Sequence, residues 1–151
     1  SGDARLRIFI DTSALAKRYV QEPGSEELEE LFSSTTTEIF ISTLAFVEFA
    51  SAMSKKLRDK EIAEAKVIEA IKELEKDWSE AFAKIPLEDM LAETAAAMAL
   101  EFSLKGADAV HLASAHNVDA ELFVASDNKL IRAAKKLGLN SYNPESGPYC
   151  Y

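Results

Sequence analysis

Cysteine is nearly absent from this sequence, since Cys150 is the single one among 151 residues. The chain can therefore form no internal disulfide and cannot build a zinc site from cysteines. No apolar run approaches the length of a membrane span, and no basic segment followed by an apolar one marks a secretory signal. These absences argue against membrane and disulfide-stabilised secreted proteins, and we expect a soluble, cytoplasmic protein.

Positive charge is also scarce. The chain has 17 Lys and Arg against 26 Asp and Glu, and its net charge is −9. Such a balance disfavours non-specific binding to nucleic acid without forbidding a local basic patch. A solvated surface is the default interpretation of the acidic excess.

The length and the hydrophobic content of 48% fit one domain with a full core. No internal repeat, low-complexity tract or linker divides the chain, and we assign residues 3–147 to this domain. Ser1-Gly2, without an initiating methionine, is typical of the scar left when an expression tag is removed. Residues 148–151, which end in Tyr149, Cys150 and Tyr151, are expected to form a loose tail.

Asp11 is the residue around which we expect the chain to be organised. It directly follows an apolar run that includes Ile8, Phe9 and Ile10, and helix-forming residues begin three positions later. This pattern predicts a buried strand that leads into a helix. Ligands of open α/β sheets lie at the carboxyl ends of such strands, so Asp11 occupies a position where a sheet presents its chemistry.

Strand and helix patterns alternate along the rest of the chain. Further strands are predicted at Glu38 to Ser42 and Glu121 to Ala125, with a short edge strand at Leu139 to Asn143. Helices are predicted at Thr12 to Gln21, Glu26 to Phe32, Thr43 to about Leu57, Lys60 to Ala83, Glu88 to Leu104, Ala107 to Ala115 and Lys129 to Leu137. Alternation of this kind indicates a parallel sheet with helices on both faces.

Three further acids stand at positions where chemistry is plausible. Asp127 follows the strand that ends near Ala125, at the same sheet edge as Asp11. Glu48 lies among apolar neighbours on a helix that should be buried, and a buried carboxylate needs a cation, an Arg or a metal nearby. Asp108 falls in the first turn of a helix of small residues. For Asp108 alone, helix capping is the simpler interpretation, and Glu48 alone could reach solvent.

Together these four acids indicate a metal site. Four carboxylates on one side of a small domain repel each other strongly, and a divalent cation relieves that repulsion. Mg²⁺ and Mn²⁺ prefer oxygen ligands and can activate a bound water for attack on phosphorus. An all-carboxylate set without a His or Cys cluster favours phosphate chemistry over zinc hydrolysis.

Four stretches of the sequence resemble the PIN-domain ribonucleases, most closely the VapC-type toxins of toxin–antitoxin pairs. They are Phe9 to Leu15, Ile41 to Glu48, Ala107 to Ala115 and Val124 to Leu130, in the family's order and across nearly the whole chain. Each stretch alone is weakly specific, and the ordered set is fairly specific. The acidic net charge and the closing Tyr149-Cys150-Tyr151 are features that the family pattern does not explain.

The resemblance implies an α/β fold, a single-domain α/β/α sandwich around a central parallel sheet. It implies that Asp11, Glu48, Asp108 and Asp127 form an acidic site that binds Mg²⁺ or Mn²⁺ and cleaves RNA. Ser13 and Ser126 match small hydroxyl positions that would support the acids by hydrogen bonding. The resemblance further implies an antitoxin partner that covers the site, for which the apolar hairpin around Glu48 to Phe82 is our candidate surface, and we also expect a homodimer.

The expected reaction is attack of a metal-activated water in line with the scissile phosphate. His111 lies three residues after Asp108 and could assist as a base, although a buried structural histidine is commoner; His116 is expected to be structural or exposed. Four basic residues on the helices that bear the acids are candidates for contact with RNA phosphates: Arg18, Lys55, Lys129 and Arg132.

Two other functional classes stay open from the sequence. One is a binding module that uses this fold without catalysis. The other is a phosphoryl-transfer domain in which Asp11 is phosphorylated, but no second Asp stands two positions after Asp11 and no acidic pair lies on an earlier strand. The sequence does not indicate which RNA would be cut.

Overall fold

The structure is a computed structural model, and it describes residues 6–34 and 37–150. Its strands are β1 (Leu6–Ile10), β2 (Thr37–Ser42), β3 (Phe82–Ile85), β4 (Leu122–Val124) and β5 (Ser141–Tyr142). Its α-helices are α1 (Thr12–Tyr19), α2 (Ser25–Ser34), α3 (Leu44–Arg58), α4 (Glu64–Glu80), α5 (Asp89–Phe102), α6 (Gly106–Asn117) and α7 (Asn128–Lys136). A short 3-10 turn, Pro144–Ser146, follows β5.

The five strands within the described ranges form one parallel sheet in the order β3-β2-β1-β4-β5. Side chains that alternate along β1 enter different cores, because successive residues of a strand point to opposite faces. Ile8 and Ile10 pack with α1 to α4, whereas Phe9 packs with α5 to α7. The predicted α/β/α sandwich with a central parallel sheet is confirmed.

The sheet has its topological switch point between β1 and β4. The chain leaves β1 into α1 on one face of the sheet, and it leaves β4 into α7 on the other face. The two departing segments open a crevice at the carboxyl ends of these neighbouring strands, which is where open α/β sheets bind ligands. Asp11 and Asp127 are the residues that begin these two helices as their N-caps.

The predicted helix from Lys60 to Ala83 was wrong at its end. Helix α4 stops at Glu80, and Phe82 to Ile85 form β3, the edge strand that pairs with β2. Phe82 was assigned to the apolar stripe of the helix, and it does enter the same core, with 8% of its surface exposed. The buried position of Phe82 fits the apolar stripe of a helix as well as a strand. A four-residue strand is too short to show the alternation that would have distinguished the two.

A buried lysine joins α1 to the end of the chain. Lys17 is 5% exposed, and its Nζ lies 3.1 Å from a carboxylate oxygen of Glu22 and 3.1 Å from one of Glu145 in the 3-10 turn. Gly24 allows this approach, because it has a positive φ of 93° and an added Cβ would lie 3.1 Å from the backbone of the 3-10 turn. The two carboxylates compensate the burial of the ammonium group.

Near the end of the chain, two tyrosine rings are in contact. The ring of Tyr149 packs edge-on against that of Tyr142 with centroids 5.2 Å apart, while Cys150 is exposed. Ser1, Gly2 and Tyr151, for which a tag scar and a tail end were expected, lie outside the described residues. Among the helices that the structure describes, none is long and apolar enough to cross a membrane.

Candidate active site

Asp11 is fixed at the junction of β1 and α1 by hydrogen bonds from three directions. Its backbone N–H donates to the carbonyl of Val124 at 3.0 Å, which continues the pairing of β1 with β4. Its Oδ1 accepts the N–H of Ala14 at 3.0 Å as the N-cap of α1. The side chain is nearly buried, with 3% of the residue exposed. A buried carboxylate held in this way has little freedom to turn toward water.

Ser13 links the two sides of the crevice. Its hydroxyl lies 2.8 and 2.9 Å from the two carboxylate oxygens of Asp11, to which it donates, and it accepts the backbone N–H of Ser126 at 3.0 Å. Ser13 therefore joins the carboxylate of Asp11 to the segment that follows β4. Ser126 takes part through its backbone, because its buried Oγ has no hydrogen-bond partner among the described residues.

Asp127 and Asp108 approach the crevice from the other face of the sheet. Asp127 caps α7 and accepts the N–H groups of Lys129 at 2.8 Å and of Leu130 at 3.3 Å, while its residue surface stays exposed. Asp108 lies in the first turn of α6 and is partly buried. Asp127 thus makes the capping hydrogen bonds of α7, whereas Asp108 lies in the first turn of α6, where the helix dipole favours its negative charge.

Glu48 projects from α3 into a small polar network. Its Oε1 accepts a hydrogen bond from Thr12 Oγ1 at 2.7 Å and lies 2.5 Å from His111 Nε2 on α6. A carboxylate can only accept, so the imidazole carries its proton on Nε2 and donates it to Glu48. The cation that the sequence required near Glu48 is thus replaced by two hydrogen-bond donors.

His111 is among the most deeply buried polar residues, at 1% exposure, and it packs edge-on against Phe9 with centroids 6.1 Å apart. Its Nδ1 is buried without a hydrogen-bond partner in the part of the chain that the structure describes. The ring therefore makes its hydrogen bond to Glu48 through Nε2. The sequence left two roles open for His111, a base and a buried structural histidine, and its burial and its contact with Glu48 favour the second.

The four acids interact electrostatically, and Asp108 is at the centre of that interaction. Burial raises the pKa of Asp11 to about 6, and the charge of Asp108 adds to the increase. The pKa of Asp108 is also raised, first by burial, then by Asp127, with a smaller contribution from Glu48. Burial acts in the same sense on Glu48, but hydrogen bonds from His111 and Thr12 hold its pKa below the ordinary value.

The donor set fits a hard divalent cation. The site offers carboxylate and hydroxyl oxygens, which are the ligands that such cations prefer. Burial raises the pKa of Asp11 and of Asp108, and neighbouring carboxylates add to the increase, so a bound cation would favour the charged form of both groups. As the side chains stand, no three His, Cys, Asp or Glu residues in the described ranges form a complete metal cage. Mg²⁺ is usually held by one or two carboxylates and several waters, so a cage of three is not needed.

The four basic candidates fall into two groups. Arg18 is committed to an ion pair with Asp77 at 3.0 Å, supported by the hydroxyl of Tyr19 on the same carboxylate, and Lys55 pairs with Asp59 at 3.6 Å. Lys129 and Arg132 make no ion pair with any residue that the structure describes. Lys129 and Arg132 on α7 are thus available to a ligand, whereas Arg18 and Lys55 each have an acidic partner.

Sequence reasoning missed the network of Thr12, Glu48 and His111. The available signal was the spacing of three between Asp108 and His111, which places both on one side of α6. It also missed the pairing of Arg18 with Asp77, which joins α1 to α4. Neither contact has a local sequence signature, because each joins segments that are far apart along the chain.

The parallel sheet and the acids at its switch point define the class of the protein, and the comparison with known families agrees. The sequence profile of the PIN domain matches residues 8–136, and the chain belongs to the PIN domain family. Among its relatives is Ribonuclease VapC45 of Mycobacterium tuberculosis (strain CDC 1551 / Oshkosh). It is 32% identical over 136 residues, which are 87% of this chain and 91% of the relative.

Solved structures share the fold. The crystal structure of VapC20 of Mycobacterium tuberculosis, described as a sarcin-ricin loop cleaving toxin, has a TM-score of 0.67 at 17% identity, covering 83% of this chain and 94% of its own. A chain of a toxin–antitoxin complex from Klebsiella pneumoniae has a TM-score of 0.65 at 18% identity, covering 91% and 97%. At these identities the likeness concerns the fold.

The buried charge of Asp11 predicts a gain in stability when that charge is removed. The pKa is about 6 in the folded state and 3.8 in an unfolded chain, so the folded state binds more protons between these values and loses stability as the pH rises through them. Above pH 6 the full cost applies, on the order of 3 kcal/mol. We expect Asp11→Asn to raise the free energy of unfolding by about 1–3 kcal/mol at pH 7.5 in chelator, measured by urea denaturation.

The gain should disappear near pH 4, where the wild-type carboxyl is protonated in the folded state. Glu75→Gln on the exposed face of α4 is the matched control, and we expect it to change stability by less than about 0.5 kcal/mol at either pH. A loss of stability in Asp11→Asn at pH 7.5 would contradict the electrostatic account of this residue.

The donor role of His111 predicts a change at Glu48. In His111→Leu the carboxylate keeps its burial and loses its shortest hydrogen bond, so the pKa of Glu48 should rise, because burial favours the neutral form. Carboxyl-carbon NMR titration of Glu48 measures this directly. His116→Leu, at the exposed end of the same helix, should leave the titration of Glu48 unchanged. Equal shifts of the Glu48 pKa in the two variants would contradict the hydrogen bond between His111 and Glu48.

Proposed function

We propose that the protein is a divalent-metal-dependent ribonuclease and the toxin of a toxin–antitoxin pair. The observation that carries the proposal is the electrostatic coupling of Asp11, Asp108, Asp127 and Glu48 at the switch point of the sheet. The family and the ribonuclease name of a relative with 32% identity support the choice of RNA as the substrate. An enzyme that acts on cellular RNA would work in the cytoplasm.

Asp11, Glu48, Asp108 and Asp127 would hold Mg²⁺ or Mn²⁺. Bound there, the cation would supply charge neutralisation at the scissile phosphate and a water of lowered pKa as the nucleophile. Asp11 has no freedom to swing, since Ser13 and the N–H of Ala14 hold its two oxygens in place. No side-chain nucleophile is required: Thr12 Oγ1 lies 3.2 Å from His111 Nε2, but it donates its proton to Glu48, and the hydroxyl of Ser13 donates to Asp11.

Thr12 and His111 would position Glu48. Both donate to Oε1, which leaves the second carboxylate oxygen without a hydrogen bond from either residue. Ser13 would position Asp11 by donating to its carboxylate, and it also accepts the backbone N–H of Ser126 across the crevice. Supporting hydrogen bonds of this kind typically change metal affinity or activity by about 10-fold to 100-fold when they are removed.

The test is cleavage of a mixed RNA pool by the purified chain. We expect cutting with Mg²⁺ or Mn²⁺ that stops in chelator and that falls by at least about 100-fold in Asp11→Asn, because an electrostatic group of the site is lost. Glu75→Gln, purified in parallel, should cut like the unaltered chain and controls for contaminating nuclease. Isothermal titration with Mn²⁺ should detect binding that Asp11→Asn weakens.

Two results would redirect the proposal. A well-folded chain that binds Mn²⁺ through Asp11 but cuts no RNA would favour the alternative of a PIN-like binding module without catalysis. Cutting that persists in chelator or in Asp11→Asn would show that another site is responsible.

The same proposal includes an antitoxin and a homodimer. The antitoxin is supported by the similarity of fold to a chain of the toxin–antitoxin complex from Klebsiella pneumoniae. The hairpin of α3 and α4 is our candidate surface, because it exposes large apolar side chains, namely Val47 at 66%, Ile68 at 49% and Leu57 at 38%.

Light scattering and co-purification test these partners. We expect a mass near twice 16.6 kDa for the chain alone. We also expect Val47→Glu to abolish capture of the protein encoded by the neighbouring gene, or of a second copy of this chain, because a buried unpaired charge costs several kcal/mol. Glu93→Gln, on the exposed face of α5 outside the hairpin, should capture as well as the unaltered chain. A monomer that captures nothing would contradict both partner assignments.

A further inference from the structure

A basic groove lies between the end of α5 and one face of α7, the helix that Asp127 of the acidic site caps. Its lining residues are Phe102, Lys129, Arg132, Ala133 and Lys136, and its volume is about 180 Å³. The four α7 positions follow the spacing of three and four that places residues on one face of a helix. We call this face, with Phe102, the α7 groove.

The charges of the α7 groove are not used within the protein. None of Lys129, Arg132 and Lys136 has a carboxylate within ion-pair distance among the described residues, whereas Arg18 and Lys55 each have one. Helix α7 carries four basic residues and no acidic one, in a chain with a net charge of −9. The positive potential of this helix therefore stands out against an acidic molecule.

This arrangement lowers the stability of α7. Lys129 lies in the first turn, where the helix dipole disfavours a positive charge. Arg132 stands three residues from Lys129 and four from Lys136, and like charges at these spacings destabilise a helix. The helix dipole favours the positive charges of Lys135 and Lys136 in the last turn. It does not favour those of Lys129 and Arg132. A ligand of opposite charge would supply the missing compensation.

The groove continues directly from the acids. Asp127 is the N-cap of α7, and with a rise of 1.5 Å per residue Arg132 lies about 7 Å and Lys136 about 13 Å farther along the helix axis. A chain of phosphates that starts at the acidic site therefore meets successive cations. The partly buried ring of Phe102 lies at the wall of the groove, where an unpaired base can stack on it.

We propose that the α7 groove binds the RNA strand on one side of the scissile phosphate. Lys129, Arg132 and Lys136 contact its phosphates, and Phe102 stacks on a base. The inference rests on the proposed ribonuclease function, and it deepens it by specifying the substrate as an unpaired segment, because a base must leave its helix to stack on a side chain. Arg18 and Lys55 are excluded from this path by their ion pairs.

Binding measured without catalysis tests the groove separately from the nuclease activity. The probe is a fluorescent single-stranded RNA of mixed sequence, titrated with the Asp11→Asn chain in chelator at several salt concentrations. Added to this background, Lys129→Ala, Arg132→Ala and Lys136→Ala should each weaken binding and each reduce the slope of log affinity against log salt by about 0.7, the value for one phosphate of a single strand. Phe102→Leu should weaken binding by roughly fivefold to a hundredfold and leave the slope unchanged.

Lys135→Ala is the matched control, because it removes the same charge from the same helix outside the groove lining. Phe102→Tyr keeps an aromatic ring and should bind like Phe102. If the three groove variants bind RNA as Lys135→Ala does, the proposal is wrong. It is also wrong if they lose affinity for a polyglutamate peptide while their RNA affinity is unchanged, since the groove would then serve an acidic protein segment.

The two proposals fail in different ways. Groove-dependent RNA binding without metal-dependent cutting by the unaltered chain would support the groove and contradict the nuclease. Metal-dependent cutting together with RNA binding that is insensitive to all four groove positions would support the nuclease and contradict the groove.

Discussion

The mutual repulsion of carboxylates at the ends of parallel strands is the constraint on which this protein depends. Asp11 is buried with a pKa of about 6, and Asp108 feels the charges of two other acids. A fold does not keep such groups together for its own stability, because desolvated like charges oppose folding. The surrounding structure holds them against that tendency, through the N-caps of α1 and α7 and the hydroxyl of Ser13. Strain of this type is expected where a site awaits a cation.

The scaffold meets this constraint by dividing the acids among separate elements. Asp11 follows the central strand, Asp127 its neighbour, and Glu48 and Asp108 arrive on helices from opposite faces of the sheet. No helix or strand therefore carries all four acids, and Asp11, Asp127 and Glu48 are each held by hydrogen bonds from neighbouring groups. The division also places the basic helix α7 at one side of the site, where the same residue, Asp127, ends the acidic cluster and begins the helix.

Much of this arrangement could be read from the sequence, and the reasons are local. Asp11 and Asp127 were found because each ends an apolar strand, and the sandwich followed from alternation of strands and helices. Strand β3 was missed because Phe82 to Ile85 continue an apolar stripe of helix α4 and are separated from it by Ala81 alone. The contact of His111 with Glu48 was missed because it depends on the relative placement of α3 and α6, which no short stretch encodes.

The order of strands in the sheet has a consequence for synthesis of the protein. Strand β1 pairs with β4, more than 110 residues later, and the N–H of Asp11 is bonded only when Val124 is in place. Closing a connection of that length is slow compared with local helix formation. On a ribosome, the first half of the site would leave the exit tunnel long before the second, so the acidic cluster cannot assemble on a nascent chain that stops short of β4. The strand order therefore makes assembly of the acidic cluster depend on synthesis of the chain as far as β4.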